Sequence, residues 1–197
     1  MPAETRRIEP ADIMPTRDYA ARRKELRQAR IASKAARRLQ VGPYATVLFE
    51  NYASMLAQVQ EMLYIEKGGD EQLHDELIAY NPMIPQGSEL TATMLLEIED
   101  ADQRARILAT LGRIEDHVAI RIGSDRVRAL ADEDLERTNA SGKTSAVHFF
   151  HFPFTADQVA AFRTPGAQIL FEIAHPNYGH IAILSEAMRA ELAKDFA

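Results

Sequence analysis

Two hydrophobic periods alternate along the chain. YATVLFE (44–50) is a short apolar, β-branched run and predicts a strand. LTATMLLEIE (90–99) alternates, with Thr91, Thr93, Leu95 and Glu97 on one face, and predicts another. HVAIRI (117–122), Gly123-Ser124-Asp125 and RVRALA (126–131) read as a hairpin. TSAVHFFHF (144–152) is a further strand. AQILFEIAH (167–175) and HIAIL (180–184) flank the turn Pro176-Asn177-Tyr178-Gly179 and pair antiparallel.

Helical spacing fills the intervals. Residues 17–40 predict a long helix, with Thr16 as N-cap and Gly42-Pro43 as stop. Its apolar stripe is thin: Tyr19, Leu26, Ile31 and Leu39. Helices follow at 58–67, closed by Gly68-Gly69, at 70–80, closed by Asn81-Pro82, and at 101–112. Thr155 and Asp157 open a helix to about Arg163, and Ser185 caps the last one. The pattern predicts an α+β fold: a mainly antiparallel sheet of about seven strands, flanking helices and a long basic N-terminal helix. Without repeats or a linker, the chain divides into a helical arm, 1–40, and a single domain, 41–197.

Composition changes this picture little. The 197 residues suffice for one sizeable core, and 46% hydrophobic with 26% charged residues is ordinary for a globular protein. The absence of cysteine excludes disulfides, thiolate metal sites and a cysteine nucleophile. MPAETRRIEP lacks the apolar centre of a signal peptide, and no apolar run approaches the ~20 residues of a membrane span. A cytoplasmic, membrane-free protein is expected. Charge matters more. Eleven of the 23 basic and five of the 29 acidic residues lie in 1–38, so the arm carries +6 and the rest −12.

Four polar clusters are candidates for chemistry. If a four-residue loop closes the last hairpin, His175 opposes His180 with Cβ atoms about 5 Å apart. Such a pair suits a transition metal (iron, manganese or zinc), with a carboxylate such as Glu61 completing the set. The plainer reading has His175 capping the turn and His180 in solvent. The segment 132–151 offers Arg137, Lys143 and His148 for acid–base chemistry or anion binding, against a solvated loop beside an apolar strand. His148 and His151 are three apart on a strand and so face opposite ways. Gly142-Lys143-Thr144 is no phosphate loop, because Arg137 stands where glycine is required and a strand follows. Around Gln58–Glu66, Glu61 and Glu50 are either paired carboxylates or partners of arginines, and Glu71-x-x-His74 is only half of a di-iron motif. The basic helix carries Arg22, Arg23, Lys24, Arg27, Arg30, Lys34, Arg37 and Arg38. It lacks interleaved aromatics and joins an acidic body, so nucleic acid is not the expected partner. The arm is expected on its own body or in a homo-oligomer.

GPYATVLFEN (42–51), QVQEMLYIE (58–66), ELIAYNPMIPQGSELTATMLLE (76–97), ADEDLER (131–137), GKTSAVHFFHF (142–152) and HPNY (175–178) occur in this order. Together they resemble the bacterial family described as domain of unknown function 3501, over nearly the whole chain. The resemblance implies association with rubrerythrin-like and iron–sulfur redox proteins, and so with iron or peroxide metabolism. It brings no catalytic residues. Three expectations follow: a metal-binding or redox-accessory protein, a metal-free enzyme or binder of a small anionic metabolite, and an interaction subunit docking through the basic arm.

Overall fold

The computed structural model describes residues 5–131 and 143–197. Among these residues nine strands form two antiparallel sheets. The first sheet holds β1 (Arg38–Val41), β2 (Ala45–Phe49), β3 (Glu89–Leu96), β6 (Leu130–Ala131) and β7 (Val147–Pro153), in the order β1-β2-β3-β7-β6. The second holds β4 (Val118–Ile122), β5 (Asp125–Arg128), β8 (Ile169–His175) and β9 (Tyr178–Ile183), in the order β5-β4-β8-β9. Six helices accompany them: α1 (Thr16–Ala35), α2 (Tyr52–Glu66), α3 (Gly69–Tyr80), α4 (Ala101–Thr110), α5 (Ala156–Arg163) and α6 (Glu186–Leu192). No helix among the described residues is long and apolar enough to cross a membrane.

The fold is α+β and antiparallel, as the pattern predicts, with two more strands. One comes from the predicted helix at 17–40, which ends at Ala35. Arg38–Val41 then pairs with β2 through Leu39↔Val47 and Val41↔Ala45. Leu39 and Val41 are buried and alternate with exposed Arg38 and Gln40, so period two wins there. The other comes from the segment at 126–131. It splits at Ala129: β5 pairs with β4, and β6 pairs with β7 of the other sheet. Helix starts also shift. Thr16 is the first helical residue after Pro15 rather than a cap, and α2 begins at Tyr52, because Asn51 and Ser54 form a capping box.

The main core lies between the sheets. Phe49 and Phe152 of the first meet Phe171 of the second, with ring centroids at 6.1 and 5.8 Å. Helices α4, α5 and α6 add Leu108, Phe162 and Met188 to it. The other face of the first sheet supports the N-terminal helices. A second core there joins Ile8, Met55, Val59, Met83 and Ile84, with Phe149 of β7 against it. At one corner the Tyr178 hydroxyl donates to the Val41 carbonyl at 2.8 Å and accepts from the Tyr44 and Ala45 amides at 2.9 Å. Gly42, at φ +69°, lets the β1–β2 turn sit against this hairpin. A Cβ there would lie 2.6 Å from the His180 ring.

Candidate functional site

The arm is moored at a few points. Tyr19 is the buried residue of α1. Its hydroxyl donates to Glu61 at 2.6 Å, and Arg23 donates to both Glu61 oxygens. Arg23 holds the Glu61 carboxyl down at about 2, against the opposing effect of burial. Burial first, then Glu61, pushes Tyr19 up to about 12. Past α1, Arg37 is 4% exposed and saturated. It donates to the Phe49 and Glu50 carbonyls at 3.0 Å and pairs with Asp195. Glu61 therefore fastens α1 to α2, and Arg37 fastens the end of the arm to β2 and to Asp195.

Between these fastenings α1 does not close onto the sheet. A cavity of about 390 Å³ opens between α1, α2 and β2. Its origin is legible in residue size. Along α2, the spacing Ala53, Leu56, Ala57, Gln60 turns two alanines and one leucine toward it, while Met55 and Val59 on another face fill the second core. Across the gap, α1 contributes Leu26 and Ala29, and β2 contributes Leu48. Small side chains on both helices leave the space unfilled, and the wall they make is aliphatic.

Into this wall α1 sets Arg27, Arg30 and Lys34. Their spacing, i, i+3, i+7, puts the three cations on one side of the helix. None makes a side-chain hydrogen bond or ion pair with a described residue. Two carboxylates share the cavity with them. Glu50 is buried and accepts from Ser54 at 2.6 Å and Thr93 at 2.8 Å. Asp12 lies near Tyr52. The Tyr52 hydroxyl is shut off from solvent and faces the Asp12 carboxylate. Burial, then the Asp12 carboxylate, pushes it up to about 12.

The residues singled out from sequence lie elsewhere. A two-residue loop closes the last hairpin, so His175 opposes Tyr178 and His180 opposes Ile173. This corrects the expected His175–His180 pairing. Both nitrogens of His175 are engaged: Nε2 donates to the Gly112 carbonyl at 3.3 Å, and Nδ1 accepts from the Asn177 amide at 3.2 Å. His180 packs on the Tyr178 ring at 4.4 Å. Glu61, expected as the third ligand, is bound to Arg23 and Tyr19, and Glu50 is not paired with it. Among the described residues no three His, Asp or Glu side chains are grouped to hold a metal ion. His148 is fully buried, stacked on Phe150, with Nε2 donating to the Ser145 carbonyl at 2.9 Å and Nδ1 3.8 Å from Glu115. Lys143 is exposed, and Arg137 lies outside the described residues.

The comparisons point to kinship without an activity. No curated protein matches the chain. A crystal structure from Burkholderia pseudomallei K96243, of a protein of unknown function, superposes with a TM-score of 0.89. It is 36% identical, over 96% of this chain and 99% of that one. The family model described as protein of unknown function, domain of unknown function 3501, matches residues 7–196. The chain therefore belongs to the domain of unknown function 3501 family.

Proposed function

We propose that the protein binds a small anionic metabolite in the cavity between α1 and α2. One observation carries the reading: three cations at helical spacing line a cavity of about 390 Å³, and none makes a side-chain hydrogen bond or close ion pair with a described residue, although Arg30 also feels the Glu61 charge. Its size falls in the range of small-molecule sites, about 300–1,000 Å³. Like charges three and four residues apart on a helix repel, so the chain keeps an unfavourable arrangement that a bound anion would relieve. Binding is favoured over catalysis. Ser54, whose hydroxyl donates to Glu50 in the cavity wall, is committed to the α2 cap, where its Oγ accepts from the Asn51 amide at 2.9 Å. The setting assumed is cytoplasmic, in keeping with a cysteine-free chain.

A ligand that binds only the folded state raises its melting temperature by mass action. Thermal-shift and titration calorimetry with inorganic phosphate, short carboxylates and phosphate esters are expected to give salt-sensitive binding. Ala57→Leu, which fills the cavity from α2, is expected to block the larger ligands while leaving stability unchanged or raised. If no anion binds the native protein at millimolar concentration, the reading fails.

A further inference from the structure

We infer that the ligand is a phosphate monoester of an aliphatic alcohol, with a single anionic head and an uncharged alkyl body. The inference rests on the cavity being the binding site and asks what its walls select. Three cations within two turns of α1, two of them arginines, suit a head group that accepts several hydrogen bonds at once. A phosphate monoester carries about −1.5 to −2 and offers three strong acceptor oxygens, which the planar fork of an arginine matches in pairs.

The remaining walls decide the body. Leu26, Leu48 and Leu56, with alanines between, present aliphatic surface. Aromatic residues at the cavity are committed elsewhere. Phe49 packs into the inter-sheet core against Phe171, Tyr19 is bonded to Glu61 and lies edge-on to Tyr64, and Tyr52 packs on the second core. That leaves no ring face for stacking a nucleobase, which single-strand and nucleotide recognition commonly uses. Glu50 and Asp12 share the lining, so a second anionic group on the body would meet carboxylates. One charged end and one apolar end satisfy both walls.

The test is calorimetry on the full-length protein with butyl phosphate, hexyl phosphate, hexanol, inorganic phosphate and adenosine monophosphate. Hexyl phosphate is expected to bind best, tightening by up to about fourfold per added methylene. Arg30→Gln should weaken it about tenfold. Ala57→Leu should weaken hexyl phosphate and spare inorganic phosphate, with circular dichroism showing both variants folded. Vesicles containing phosphatidate separate the two sources of such an ester: co-sedimentation assigns it to a lipid headgroup, and its absence to a soluble metabolite. Inorganic phosphate or adenosine monophosphate binding as tightly as hexyl phosphate would overturn the alkyl ester and leave the anion site standing. A carboxylate binding where no phosphate does would overturn it in the same way. Failure of every anion removes both.

Discussion

Two polar regions of this molecule look alike in sequence and differ in the fold. The histidine region gathers His148, His175 and His180 around β7, β8 and β9. The α1 region gathers Arg27, Arg30 and Lys34. In the first, both nitrogens of His175 and Nε2 of His148 meet carbonyls or amides of the same chain, and the three rings pack on His117, Phe150 and Tyr178. In the second, the cations line open space. A buried polar group that its own chain satisfies is part of the structure, since leaving it unsatisfied would cost about 1–3 kcal/mol. A charge held toward a cavity stays available to a partner. The contrast gives the histidines a structural role and leaves the basic helix as the face proposed for binding.

The strongest way to break this contrast is His148→Ala. His148 is fully buried and stacked on Phe150 at 6.0 Å. Its removal leaves a cavity and takes away the His148 ring 3.8 Å from the Glu115 carboxylate. A loss of about 3 kcal/mol is expected, read as a fall in melting temperature of roughly 6–12 °C. Affinity for hexyl phosphate should stay within about twofold, since sites without shared partners act independently. Stability intact with binding lost would move the site to the histidines.

Glu61→Gln sharpens the other side, because it loosens α1 while leaving the three cavity cations in the sequence. The variant loses a charge-assisted pair with Arg23 that is only partly screened by solvent, so about 1–2 kcal/mol at neutral pH is expected. The pH dependence has a definite sign. The carboxyl is held at about 2 in the fold against an ordinary 4.5. A depressed carboxylate stabilises the fold above its unfolded value, and that contribution fades as pH falls from about 4.5 to 2. Melting temperatures of wild type and variant should therefore differ by a constant amount above pH 5 and converge below it. A gap independent of pH would mean that Glu61 acts through packing alone.

The α+β class, the two late hairpins and most strands were legible because period two and turn residues are local signals. The second sheet was not. Its separation depends on β5 and β6 choosing different partners on either side of Ala129, and no local pattern marks that choice. The hairpin at 175–180 misled through one variable, loop length: two residues rather than four shift His180 from His175 to Ile173. Glu61 was legible as an arginine partner, since the arm supplied the charge. The cavity was half legible. The i, i+3, i+7 spacing of Arg27, Arg30 and Lys34 was readable, as were the alanines of α2. That these two faces stand across a gap is a tertiary fact. It is fixed by Tyr19 and Arg23 meeting Glu61, contacts that span 42 and 38 residues of sequence.

Arg27→Gln carries the smallest stability effect and separates binding from structure most cleanly. Arg27 is exposed at the cavity rim, with Arg23 four residues before it and Arg30 three after. Glutamine keeps nearly the same helix propensity and much of the aliphatic stem. Relief of like-charge repulsion on that face is worth about 0.2–0.5 kcal/mol, so the free protein should become slightly more stable. The ligand-bound protein should instead lose stability, because the anion now meets one cation fewer. Urea titrations with and without hexyl phosphate therefore predict curves that cross: the variant's midpoint is higher alone and lower with ligand. A structural role for Arg27 would lower both midpoints, and an idle surface charge would move neither. Only a residue retained for an outside anion changes sign when that anion is supplied.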